Sequence, residues 1–286
     1  MGKLLPGIKS RLTARLITLL ALVVLMFLSG RSTTGAVRSD RLGVRQAYAD
    51  TIDFNTKPTR ENQLLQFASD NHIALLEMGL SDYQQRISDY TCTLVKQERI
   101  GGKMRPEQQI EVKFKESPFS VVFHIVRNAG AADKIIFVEG ANDNKFLAHP
   151  TGLTGLLIPK VSRAVDDAQA AKASLRRVNQ FGFARSLRSL LDQYESAAAS
   201  GDLTQEFLGT GEVDGRATMV LARLLPPKPQ YPYNKVVIHL DRQYLVPTAT
   251  FCYNRQGQLE AKYIFSNVQF NTGLSNEDFL ARNNGM

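Results

Sequence analysis

Val112-Lys113-Phe114-Lys115-Glu116, then Phe119 to Arg127, Lys134 to Gly140 and Asn144 to Pro150, read as four short apolar-alternating runs. They are broken by Ser117-Pro118, Ala129-Gly130 and Ala141-Asn142-Asp143. Alternation punctuated by turn residues predicts consecutive antiparallel strands joined by tight turns. In the second run Phe119, Val121, Phe123 and Ile125 share one face, and Val122 and Val126 share the other with His124. Apolar residues on both faces predict a strand that is either central in the sheet or covered on both sides.

The pattern extends outward in both directions. Upstream, Asp89 to Ile100 alternates Tyr90, Cys92 and Leu94 with Thr91, Thr93 and Val95. Lys96, Glu98 and Arg99 read as its solvated end, and Gly101-Gly102 as a turn. Residues 60–87 carry apolar positions at helical spacing after an N-cap candidate, Thr59, with a break expected at Gly79-Leu80-Ser81-Asp82. Downstream, Gly152 to Val161 reads as another strand, and Ser162 to Ala173 as a surface helix or loop. Phe183 to Ala199 is an amphipathic helix that Gly201 ends. Five further strands follow between Glu206 and Gln269, with Asp214-Gly215 a strong hairpin signal.

The order is helix, a block of strands, helix, a second block of strands. No strand–helix–strand alternation occurs, so the sheet is expected to be antiparallel and the fold α+β. Two strand blocks around one helix predict a long curved sheet, an open half-barrel, wrapped around one or two helices.

The formal charge of +8 is unevenly placed. Residues 1–50 hold Lys3, Lys9, Arg11, Arg15, Arg31, Arg38, Arg41 and Arg45 against Asp40 and Asp50, which accounts for most of it. The remainder lacks a nucleic-acid-binding composition. The N-terminal charge suits anionic lipid headgroups. Leu16 to Leu28 is apolar apart from Thr18, follows basic residues and ends at Ser29-Gly30-Arg31. That is the pattern of a secretory signal, and it is short of the roughly 20 residues of a full span. The expected organisation is a signal peptide or signal-anchor over 1–30, a flexible tether over 31–58 and one curved-sheet domain over 59–286. The bulk of the chain would then lie outside the cytoplasm, periplasmic or in the cell envelope, either anchored in the inner membrane or released after cleavage.

Chemistry is sparse. No GxSxG, HExxH, GxGxxG or phosphate-loop pattern occurs, and no cofactor is implied. Asn142-Asp143 near Glu139 reads as a hairpin turn before it reads as a cation site. Glu98, Glu107 and Glu139 fall on different strands, and His124 and His149 have no nucleophile near them in sequence. Cys92 and Cys252 are either two buried small hydrophobes or a disulfide formed in an oxidising compartment.

Several segments carry a family likeness: Tyr90-Thr91-Cys92-Thr93 with Lys96-Gln97-Glu98-Arg99, Pro118 to Val121, Val138 to Pro150, and the ending Asn267 to Phe279. Together they resemble an uncharacterised family of exported bacterial proteins, similar in architecture to the periplasmic lipoprotein carriers LolA and LolB. The likeness implies an open antiparallel sheet enclosing helices over an apolar cavity, and no catalytic residues. The expectation is a non-enzymatic, membrane-tethered envelope protein. It would bind a lipid or lipidated partner in a cavity lined by Phe119, Val121, Phe123 and Ile125. The alternative is a structural or protein-interaction module with a filled core. A hydrolase built on strand-end carboxylates is the weakest of the three readings.

Overall fold

The computed structural model describes residues 59–286, so the signal, anchor and tether readings lie outside the described residues. Two helices lead in, α1 (Arg60–Asp70) and α2 (His72–Arg86). They are followed by β1 (Asp89–Ile100), β2 (Lys103–Met104), β3 (Gln108–Lys115), β4 (Ser120–Arg127), β5 (Ala132–Val138) and β6 (Lys145–Pro150). A short helix α3 (Gly152–Leu157), β7 (Val161–Ala164), α4 (Ala168–Ala171) and the long α5 (Phe183–Ala199) follow. The second block is β8 (Thr204–Val213), β9 (Arg216–Leu224), β10 (Lys235–Asp241), β11 (Pro247–Tyr253) and β12 (Leu259–Phe270).

All the strands belong to one 12-stranded sheet in the order β7-β6-β5-β4-β3-β1-β12-β11-β10-β9-β8, with β2 paired to β1. Every pairing is antiparallel. β1 joins the two strand blocks, with β3 on one side and β12 on the other. The edge strands β7 and β8 do not pair with each other, so the sheet is open. This is the α+β arrangement that the family likeness implies.

One face of the sheet carries the core. Alternation places Tyr90, Cys92 and Leu94 of β1 beside Ile110, Val112 and Phe114 of β3, and Val121 and Ile125 of β4. The buried stripe of α5, Phe183, Leu187, Leu190, Leu191 and Tyr194, lies in the same cluster, and so do Leu75, Leu76 and Tyr83 of α2. Aromatic rings crowd near the start of α5: Tyr90 lies 4.7 Å from Phe114 and 4.8 Å from Phe183, and Phe183 lies 4.9 Å from Phe265. Gly182 (φ +110°) makes this approach possible, because a Cβ there would stand 2.8 Å from the Phe114 ring. The opposite face is covered over β4 and β5, where Val122 and Ile136 pack under Phe279 of the C-terminal segment. β4 is thus buried on both faces only over Ser120–Val122; farther along the second face Val126 is 44% exposed.

Two local expectations fail. The leading helices break at Asn71, whose side chain accepts from the Ala74 N–H and caps α2, and not at Gly79–Asp82. Gly79 sits inside α2 at a close crossing, where a Cβ would meet the Leu245 carbonyl at 2.6 Å. The expected strand over Gly152–Val161 is instead α3 and the first residue of β7. Gly152 (φ +66°) turns the chain at the end of β6, and Gly155 packs against it: a Cβ there would lie 2.0 Å from the Pro150 carbonyl oxygen.

Candidate binding site

The strands define two ends of the sheet. At one end, called the base here, lie the β3–β4, β5–β6 and β8–β9 turns. At the other, the tip, lie the β1–β2 turn, the β4–β5 turn, the β6–α3 connection and the β9–β10 and β11–β12 loops.

The concave side that was expected to hold an apolar cavity is occupied by protein. Phe119, Val121 and Ile125 are buried, and Phe123 packs on Phe181 at 4.9 Å. Phe119 is further capped by Phe114, by Phe137 and by the Arg185 guanidinium, 3.8 Å from its ring centroid. These four residues form a wall of the core, with side chains rather than open space against them.

This side also carries a cavity of about 310 Å3 between the 175–180 segment and α5. Arg176 and Arg185 line it with Asn179, Gln180 and Ser189, and Leu175 and Tyr233 complete it. Arg185 is held by Glu116 at 3.8 Å and by its stacking on Phe119. Arg176 lies 5.1 Å over the Tyr263 ring and has no carboxylate in ion-pair range among the described residues. The lining therefore offers two guanidinium groups, amides and a hydroxyl around one leucine. Such a donor set suits an anionic group, with an apolar contact beside it.

A buried carboxylate holds this cavity's outer wall. Glu98 is 2% exposed, contrary to its reading as a solvated strand end. It accepts from the Tyr263 hydroxyl at 2.7 Å and the Leu175 N–H at 3.2 Å, and pairs with Lys96 at 3.4 Å. The 174–176 segment is thereby tied to β1 and β12. Burial and the neighbouring Glu98 charge hold the Tyr263 phenol well above its ordinary range, so it stays a donor to Glu98. Burial likewise pushes Tyr233 up to about 12.

The register carries the row of Glu98 across the sheet through apolar Ala261, Cys252 and Val236 to Arg223. Arg223 is 1% exposed, sits 5.5 Å over Tyr194, and leaves Nε and Nη1 unpaired among the described residues. Burial works against its charge.

The two cysteines do not meet. Both are buried free thiols. Cys252 shares a row with Glu98, six positions along β1 from Cys92, which at about 3.3 Å per residue separates them by roughly 20 Å. A disulfide needs a Cα separation below about 7 Å. Burial pushes the Cys252 thiol up to about 11 and Cys92 higher still, so neither supplies a thiolate nucleophile near neutrality.

On the opposite face a groove of about 510 Å3 runs past Thr91, Thr93, Glu111, Lys113, His124 and Lys134. His124 pairs with Glu111 at 3.1 Å and hydrogen-bonds no hydroxyl or thiol among the described residues. His149 pairs with Asp133 at 2.7 Å, away from this groove. Glu107 pairs with Lys262, and Glu139 lies exposed at a base turn, so Glu98, Glu107 and Glu139 do not converge. Asn142–Asn144 form a single 3₁₀ turn in the β5–β6 connection, where Asn144 accepts from the Gly140 N–H.

A family of proteins of unknown function, DUF1571, matches residues 87–285. The chain belongs to the DUF1571 family. No curated protein matches it. Among solved structures it is similar to MucB, at 20% identity and a TM-score of 0.46, over 73% of this chain and 62% of MucB. The MucA/MucB complex of Pseudomonas aeruginosa matches at 19% identity and a TM-score of 0.43, over 73% of this chain and 60% of that one. The chain thus spans about three fifths of the length of MucB. The lipoprotein LppX of Mycobacterium tuberculosis matches at 11% identity and a TM-score of 0.40, over 72% of this chain and 99% of LppX.

Proposed function

We propose that this DUF1571 protein is an exported, non-enzymatic binding protein of the cell envelope, tethered by its N-terminal segment. Its ligand is an anionic amphiphile, either a lipid or the lipidated end of a partner. One observation carries the reading: a cavity between the 175–180 segment and α5 is lined by Arg176 and Arg185 together with Leu175 and Tyr233. The guanidinium groups pair with the anionic head, and Leu175, 43% exposed, lies beside the first methylenes. Among the described residues both thiols are buried, and His124 pairs with Glu111 and not with a hydroxyl or thiol.

The test is calorimetric titration of the full chain in zwitterionic nanodiscs with a long-chain fatty acid and the matching fatty alcohol, each corrected for empty nanodiscs. A charge-assisted hydrogen bond contributes about 1.5–3 kcal/mol. The acid is therefore expected to bind saturably and at least about tenfold more tightly than the alcohol. Equal affinities, or no saturable binding, contradict the reading.

A second reading, a protein-interaction module without a small ligand, is favoured by the packing of α5 and the aromatic cluster against the concave face. At about 310 Å3 the cavity is also at the small end of ligand sites. A stable protein partner that copurifies without amphiphile selects that reading.

A further inference from the structure

The tip of the sheet carries an apolar projection that the ligand site does not use. Leu153, Leu156 and Leu157 of α3 are 81%, 81% and 84% exposed, and Ile158 is 43% exposed. The cause is local. Gly155 is the residue of α3 that faces the end of β6, against Pro150 and His149, and only a residue without a side chain fits there. With the glycine turned inward, the leucines at positions three and four apart are left outward, on one side of the turn. Exposed leucines in a contiguous group mark a surface that meets something apolar.

The charge around this projection indicates what it meets. Lys103, Arg105, Arg127, Lys160, Lys235 and Arg255 lie at or beside the tip connections, and all are exposed. None has a carboxylate in ion-pair range among the described residues. Four acidic residues at this end are paired: Glu107 with Lys262, Asp202 with Lys228, Glu260 with Arg99 and Asp133 with His149. At the base, Glu139, Glu212 and Asp214 are exposed in the turns, Asp143 pairs with Lys145, and Arg86 is exposed ahead of β1. The leucines thus project from an end that carries cations without a carboxylate partner among the described residues.

We propose that the tip docks on an anionic lipid bilayer. Leu153, Leu156, Leu157 and Ile158 enter the interface between headgroups and acyl chains, and the tip cations meet the headgroups. Apolar insertion and a basic surround act together, since each alone gives only weak and reversible attachment. The base then points away from the membrane. Docking is independent of the ligand reading, and uses neither Arg176 nor Arg185.

The test must separate the tip from the N-terminal segment, so it reads position and not total binding. The full chain is reconstituted in nanodiscs of mixed phosphatidylglycerol and phosphatidylcholine, with an environment-sensitive fluorophore on Leu153→Cys or, as the control, on Asp143→Cys. Native Cys92 and Cys252 are buried and do not compete for label. The expected result is a blue shift and quenching by brominated lipid for the Leu153 probe only. It should fall severalfold in pure phosphatidylcholine, at high salt, or with Leu156→Ser/Leu157→Ser. Arg185→Gln should leave it unchanged. Hydroxyl-radical footprinting of the unlabelled chain should protect Leu153–Ile158 in the anionic discs alone. A Leu153 probe that stays water-exposed, equal quenching of both probes, or no footprint at Leu153–Ile158 overturns the proposal.

Discussion

The same strands end in two different ways. At the base, Tyr90, Phe114, Phe183, Phe270 and Tyr244 interlock, and the turns are fastened by side chains. Asp241 accepts from Arg216 at 2.6 Å and from the Gln243 and Tyr244 N–H groups. Asp89 accepts from Thr272 and Gly273, and Arg242 reaches Glu61 of α1. At the tip, Glu98 and Arg223 are buried among apolar neighbours, and a leucine turn is exposed. The comparison teaches a division of labour along the strand axis. The base carries the aromatic interlock, and the leucine turn at the tip carries exposed apolar surface outside the core.

The sharpest way to break that comparison is at the aromatic cluster. Phe183→Ala removes a 1% exposed ring in contact with Tyr90, Phe265 and Phe270 and should cost about 3–5 kcal/mol in denaturant unfolding. A cost below about 1 kcal/mol means that the base is not the anchor. Glu98→Ala comes next, because it strands Lys96 and the Tyr263 hydroxyl and releases the 174–176 segment. An effect of about 2–3 kcal/mol is expected, with faster amide exchange at Leu175. Unchanged exchange there means that Glu98 does not hold the cavity wall. At the other extreme, Leu153→Ser and Leu157→Ser should change stability by no more than about 0.5 kcal/mol, since both side chains are already in water. A large loss would make the leucine turn part of the core.

Acid sharpens the comparison. Burial depresses the His72 imidazole below its ordinary 6.5, although its hydrogen bond to the Ala68 carbonyl works the other way. His239 is depressed by burial too. The unfolded chain therefore binds more protons than the folded one below pH 6.5, so these groups lower stability progressively as pH falls through that value. Above it their effect is absent. His72→Gln should flatten the decline in urea midpoints between pH 7 and 5, and an unchanged slope would assign the acid sensitivity elsewhere.

Most of the architecture was legible in the sequence because β alternation reports which face is buried, and the α5 stripe reports its core side. The misreadings have physical causes. Gly79 looked like a helix break, but a glycine inside a helix also permits a close crossing, and only Leu245 shows which applies. Gly152-Leu153-Thr154-Gly155-Leu156-Leu157-Ile158 is as apolar as a buried strand, and nothing local reveals that Gly155 is the packed residue and the leucines are outside. Glu98 looked solvated because Leu175 and Tyr263, which satisfy it, are remote in sequence. The Arg176–Arg185 cavity escaped notice for the same reason: the 175–180 segment has no period, and its arginines meet only through tertiary packing. Leu175-Arg176-Arg177, an apolar residue beside two cations, was the one available signal.

The proposed ligand site is the cavity between Arg176 and Arg185, which receives an anionic amphiphile. Native mass spectrometry of the full chain, extracted gently from its own membranes, measures this directly. The account predicts a one-to-one adduct with the mass of an anionic lipid, lost in Arg176→Gln/Arg185→Gln while the fold is retained. A bare chain mass, or the same adduct on the double variant, would contradict it.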